Sequence, residues 1–170
     1  GLLKNGHSRM VTPKKMNLDG GFLGAEEADY VPYIETCDKI HAQTNVAYGM
    51  FPNFITPTDT SGYPAILFWP KGLKETEFEW TQLAPKWSGE EKPDYWNEQE
   101  ISFDSIMDED FQNLEPMQRS HDSGVFESMP LNYQERRIYY YHQVIDDWIG
   151  RDNLPENIQV PNVLDPFIEA

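Results

Sequence analysis

From Thr76 to Trp80 the chain reads Thr-Glu-Phe-Glu-Trp, with glutamates alternating against Thr76, Phe78 and Trp80. A period of two is that of an antiparallel strand with one wet face, and it predicts a strand over residues 74–84. Apolar runs bounded by turn residues predict further strands over 8–14, 47–56 and 64–69. Later the period changes to that of a helix. Residues 133–149 are bracketed by end signals: Asn132 as N-cap, Glu135 completing a capping box, and Gly150 past the final turn. A second helix runs through IMDEDFQNLEPMQ (106–118), where Phe103, Ile106, Met107, Leu114 and Met117 fall within about 100° of one another. Pro116 bends or ends it, because proline cannot donate to the preceding turn.

The intervening segments are read from composition. Residues 17–36, with Gly20, Gly21, Gly24 and Pro32 among acidic residues, read as a long loop. Residues 37–46 form a short helix, 86–100 a polar connector holding Trp87 and Trp96, and 151–170 a proline-bearing tail extended over the surface. Strands first and two long helices last indicate an α+β domain, an antiparallel sheet gripping a helix.

Asp110 is the anomaly in this pattern. It projects from the centre of the apolar stripe, while Asp108, Glu109, Gln112 and Glu115 point elsewhere. A carboxylate aimed into a core costs several kcal/mol unless a cation, a proton or several donors compensate it. Backbone amides or an arginine would do so; so would a metal ion, and a buried carboxylate beside an apolar pocket is also a property of catalytic acids.

Charge and cysteine content narrow the classes. Thirteen basic against 29 acidic residues leave a net charge of −16 over 170 residues. That argues against nucleic-acid and anionic-membrane surfaces, which need basic patches. With 39% hydrophobic and 14% aromatic residues the chain is expected to fold as one domain. The single cysteine, Cys37, excludes an internal disulfide framework, fits a reducing cytoplasm, and reads as a small buried side chain rather than a reactive thiol. No apolar run reaches the roughly 18 residues of a membrane span, and the start is too short in apolar residues for a signal peptide. It opens in mid-pattern without an initiator methionine, which points to a fragment or cleavage product.

Other chemistries lack their residues. There is no glycine-rich phosphate loop, no nucleophile elbow and no cysteine pair for zinc. His7, His41, His121 and His142 include no close pair that would set two imidazoles on one helical face. His142, beside Ile138, Ile145 and Ile149, reads as a core histidine, His121 as an exposed loop residue, and His41 as part of the short helix. His7 precedes a strand, at a pocket rim. The run Tyr139-Tyr140-Tyr141 reads as packing plus surface.

Several separated stretches then agree on a family. NGHSRM (5–10), MFPN (50–53), FWPKG (68–72), MDEDFQNLEPMQRS (107–120) and MPLNYQERRIYYYHQVIDDWIG (129–150) resemble, in order, the C-terminal catalytic domain of the alpha subunit of aromatic-ring-hydroxylating Rieske non-haem iron oxygenases. The resemblance implies a helix-grip (START-like) fold, incomplete in this chain, with residues 1–170 the C-terminal part of the mononuclear iron domain. It implies Fe(II) held by two histidines and one carboxylate, and by position relative to Asn113-Leu114-Glu115 that carboxylate is Asp110. His7, Met10, Met50, Phe51, Asn53 and Phe111 are implied to line or border the substrate pocket. The family's paired His-x₄-His ligands and its Rieske [2Fe–2S] domain lie upstream of the matching stretches, and one cysteine cannot supply such a cluster.

The resemblance further implies a cytoplasmic oxidoreductase part, a monooxygenase or dioxygenase of aromatic compound catabolism. It would use O₂ and NAD(P)H electrons delivered by a reductase and a ferredoxin, in a homotrimer or alpha/beta hexamer, while the isolated chain is inactive. A metal-free helix-grip domain that binds a hydrophobic small molecule is the alternative, and a purely structural subunit ranks last.

Overall fold

The structure, a computed structural model, describes residues 1–13, 34, 36–125 and 128–169. Its strands are β1 (Leu2–Leu3), β2 (Ser8–Pro13), β3 (Thr44–Met50), β4 (Phe54–Thr58), β5 (Tyr63–Gly72), β6 (Glu75–Leu83) and β7 (Ile168–Glu169). They form one sheet in the order β6-β5-β4-β3-β2-β1-β7. Every neighbouring pair is antiparallel except β1 and β7. The helices are α1 (Lys39–Gln43), α2 (Asp94–Phe111), α3 (Leu114–Asp122) and α4 (Arg136–Ile149). This is the α+β, helix-grip-like arrangement, with a C-terminal helix laid over an antiparallel sheet.

Residue type explains most of the elements. In β6 the glutamates face water, while the Phe78 and Trp80 rings turn to α2, meeting Phe111 at 4.8 Å and Phe103 at 4.5 Å between centroids. Trp80 Nε1 donates to Asp104 at 3.1 Å, so the indole finds both its apolar and its polar partner on one helix. The helix expected over 133–149 begins as a 3-10 turn at Tyr133–Glu135, ahead of α4: Asn132 caps that turn, accepting from the amides of Gln134 (2.8 Å) and Glu135 (3.3 Å), while Glu135 accepts from the Asn132 amide (2.9 Å). The helix stops at Gly150, whose φ of 86° a side chain would disfavour.

Several expectations need correction. The stretch 47–56 is two strands, because Phe51-Pro52-Asn53 makes a turn and Pro52 has no amide to continue a ladder. The supposed connector 86–100 contains the start of α2, where Tyr95 and Trp96 are 4% and 2% exposed. The α2 helix ends at Phe111 ahead of Pro116, which instead sits in the first turn of α3, where its missing N–H has no partner to lose. His121 lies within α3 rather than in a loop, and the Lys74–Asp122 ion pair ties that helix to the β5–β6 turn. His142 is exposed, edge-on to Tyr141 at 5.9 Å, because it lies on the outer side of α4. Cys37 is partly exposed. Of the expected loop 17–36 all but residues 34 and 36 lie outside the described residues.

The tail is structured as well. Its 3-10 turns lead into β7, which pairs in parallel with β1 through Leu2–Ile168. Asp146, buried near the end of α4, accepts from the Val160 amide at 2.6 Å, and Arg151 donates to the Val160 carbonyl at 2.8 Å. These contacts clasp the tail to the helix.

The join between α4 and the sheet rests on one hydroxyl. Tyr140, 3% exposed, packs with Leu2 and Val144; its Oη donates to the Leu3 carbonyl at 2.8 Å and accepts from the Gly6 amide at 3.2 Å. Gly6 itself tolerates no side chain: its φ is 82°, and a Cβ would lie 2.9 Å from Phe51 and from Val144. Replacing Tyr140 by Phe leaves both backbone groups unsatisfied and is expected to cost about 1–3 kcal/mol, read from urea denaturation. An unchanged midpoint would contradict the role assigned to this hydroxyl.

Candidate active site

The registers Ser8–Gly49, Met10–Ala47, Gly49–Ile55, Ala47–Pro57, Ile55–Ile66 and Phe68–Phe78 place alternate residues of β2 to β6 on one face of the sheet. Because glycine, alanine, serine and proline recur on that face, its middle is low. The helices bear on its two sides: α2 packs on β6 through Phe78 and Trp80, and α4 is fixed to β1 through Tyr140. Low-profile strands between two propped helices leave a cavity of about 1040 Å³, at the upper end of the roughly 300–1,000 Å³ usual for small-molecule sites.

The floor is sheet: Ser8, Met10, Ala47, Gly49, Ile55, Ile66 and Phe68. The α2 helix adds Phe103, Ile106 and Met107, and α4 adds Arg137, Ile138 and Tyr141. Met50, Phe51, Pro52 and Asn53, from the β3–β4 turn, close one end. That end is braced, since Tyr141 donates its hydroxyl to the Pro52 carbonyl at 2.9 Å and Phe51 sits 5.5 Å from the Tyr141 ring and 5.3 Å from Trp148. The lining is largely apolar. Arg137 alone carries a charge among the described lining residues, and burial lowers its pKa.

Of the residues singled out for the pocket, Met10, Met50, Phe51 and Asn53 lie on this wall. His7 does not. Its Nδ1 accepts the Phe51 amide at 3.1 Å, which joins the start of β2 to the end of β3 and assigns the ring proton to Nε2. Phe111 is likewise off the wall, edge-on to Phe78.

Asp110 is exposed, which corrects the expectation that it is buried. The stripe it centres is covered only at its N-terminal end, where Phe103 is buried; Ile106, Leu114 and Met117 are 40%, 54% and 51% exposed. The break at Gln112–Asn113 also removes Leu114 and Met117 from the helix that carries Asp110. Water thus solvates the carboxylate. Asp110 nevertheless follows Met107 and Ile106 by three and four residues on α2, the spacing of neighbours on one helical face, and both of those residues line the cavity. Among the described residues no group of three His, Cys, Asp or Glu side chains could hold a metal ion.

Sequence reasoning missed Arg137, Phe54, Phe68 and Tyr141 as wall residues. The signal was present for α4, because Arg137, Ile138 and Tyr141 share helical spacing. For the strands it lay in the cross-strand register, which the sequence of a single strand does not carry.

An antiparallel sheet and two helices thus surround an apolar cavity of small-molecule size. Residues 6–151 match the family described as ring hydroxylating alpha subunit (catalytic domain), and the chain belongs to that family. It is therefore of oxygenase lineage. No curated protein and no solved structure matches the chain. Among the described residues no helix is long and apolar enough to cross a membrane.

The cavity should take up a neutral apolar dye such as Nile red, with enhanced emission. Ala47→Trp, which raises the floor, is expected to weaken that uptake severalfold in a fluorescence titration. Equal affinity in the variant would place the dye elsewhere.

Proposed function

We propose that this chain is the substrate-enclosing, C-terminal part of the catalytic domain of a ring-hydroxylating or related mono-oxygenating or demethylating Rieske oxygenase, with Asp110 as the carboxylate ligand of its mononuclear Fe(II). The observation that carries this is the continuity of α2: Ile106 and Met107 form cavity wall, and Asp110 follows on the same side of the helix. A carboxylate there would stand next to whatever organic molecule fills the cavity. Family membership supplies the chemistry class.

A facial triad needs two imidazoles beside its carboxylate, and among the described residues no group of three His, Cys, Asp or Glu side chains could hold a metal ion. By themselves they do not fit Fe(II); the histidines would come from another part of the oxygenase, as would the [2Fe–2S] cluster. The task of this chain's own residues is to desolvate and orient. Phe51 and Phe68 offer aromatic surface to an apolar substrate, and Asn53, Ser8 and Tyr141 add a few polar contacts.

The remaining parts of the proposal rest on the family. The co-substrate is O₂, electrons come from NAD(P)H through a reductase and a ferredoxin, and the assembly is a homotrimer or alpha/beta hexamer in the cytoplasm. Asp110's exposure and the lack of a ligand cluster among the described residues favour a second reading, a metal-free domain that binds a hydrophobic small molecule.

Iron content separates the two. In the intact oxygenase, Asp110→Ala is expected to lose nearly all mononuclear iron and substrate-dependent O₂ uptake while the Rieske absorption persists. Mononuclear iron unchanged in the variant would overturn the ligand role and put the metal-free reading first.

A further inference from the structure

The apolar cavity between α2 and α4 holds one cation among its described lining residues. Arg137, in the first turn of α4, is half-buried in the wall, and no Asp or Glu lies among those residues. In a chain with 29 acidic residues this isolation is informative. Arg9, Lys71, Lys74, Lys92, Arg119 and Arg151 each pair with a carboxylate. The neighbouring Arg136 stacks over the Tyr133 ring at 4.4 Å. Arg137 has neither kind of partner among the described residues; its Nη2 approaches the Met10 sulfur at 3.6 Å, and a thioether is a weak acceptor.

A guanidinium partly withdrawn from water, with no counter-charge among the described residues, carries a desolvation cost. Burial accounts for the lowering of its pKa, yet arginine stays protonated, so the charge persists in the cavity. Its planar fork of N–H donors matches a carboxylate in two parallel hydrogen bonds, and those bonds strengthen where water is excluded. Elsewhere the cavity wall is aromatic and apolar, with Phe51, Phe68 and Phe103 among its lining residues.

We propose that the cavity selects an aromatic carboxylic acid, with the carboxylate held by Arg137 and the ring lying against the aromatic wall. This deepens the oxygenase reading and rests on it for the identity of the site as a substrate site. It also sets an orientation. The acid group is anchored at α4, and the far end of the ring is presented to α2, where Ile106 and Met107 precede Asp110.

The test is equilibrium binding to the intact oxygenase under anaerobic conditions, with 2-naphthoate and its neutral isostere 2-naphthamide as probes, read by calorimetry. The wild type is expected to bind the acid at least about tenfold more tightly than the amide, the scale of one charge-assisted bidentate contact. Arg137→Gln should remove that preference, with the amide affinity little changed, and Arg137→Lys should retain part of it. Equal affinities in the wild type, failure of the acid to bind, or a preference that survives Arg137→Gln would each overturn the proposal. A guanidinium that only covers apolar surface with its stem would give the last result. Should Arg137→Gln not fold, the wild-type ratio and Arg137→Lys decide. Oxygen uptake separates this proposal from the reading beneath it. Uptake stimulated by naphthalene but not by 2-naphthoate would keep the oxygenase and overturn the acid, whereas tight acid binding in a protein without mononuclear iron would keep the acid site and overturn the oxygenase.

Discussion

The hydroxyl of Tyr140 fixes where α4 lies, and the cavity exists because of where α4 lies. One phenol satisfies two backbone groups of the first turn, the Leu3 carbonyl and the Gly6 amide, from a helix more than 130 residues away in sequence. Its ring meanwhile completes the small core with Leu2 and Val144. Gly6 allows that closeness, since any side chain there would strike Phe51 and Val144. With Tyr140 turned into this joint, Arg137, Ile138 and Tyr141 are carried to the cavity side of the same helix. The clasp of Asp146 and Arg151 on the tail, and the pairing of β7 with β1, hold the far end of α4 in the same place.

The opposite wall obeys a different rule. The α2 helix is held by aromatic pairs, Phe78 with Phe111 and Trp80 with Phe103, which act at one edge of the sheet and keep the helix off its middle. Between the two anchored helices the strands present small residues and prolines. An apolar hollow of this size is costly to leave unfilled by matching atoms, so its maintenance is consistent with enclosing a ligand. Arg137 then gives the hollow a direction, from α4 toward α2.

Where local periodicity decides structure, the sequence was legible. The alternation around Phe78 located β6, and Gly150 located the end of α4, while the Asn132–Glu135 capping box marked a 3-10 turn that leads into it. Asp110 stood out as a carboxylate in the midst of apolar residues, and it does occupy such a stripe. Its exposure was not legible, because the stripe is continuous only if the helix is. The interruption at Gln112–Asn113 depends on side chains that bond back to the Glu109 carbonyl, and hydrophobic periodicity does not register it. Trp96 was misplaced in a connector because its neighbours are polar; only the three-dimensional packing buries it. Arg137 shares a helical face with Ile138 and Tyr141, but that this face meets a cavity is set by strands far from it in sequence.

The central claim is that a metal-binding carboxylate and a substrate cavity meet on α2. It is tested most directly by locating the iron: an anomalous difference map at the iron edge from a crystal of the intact oxygenase. A peak bonded to the Asp110 carboxylate, beside the end of the cavity walled by Ile106 and Met107, is the expected result. An iron peak on a different carboxylate, or on none from this chain, would contradict it.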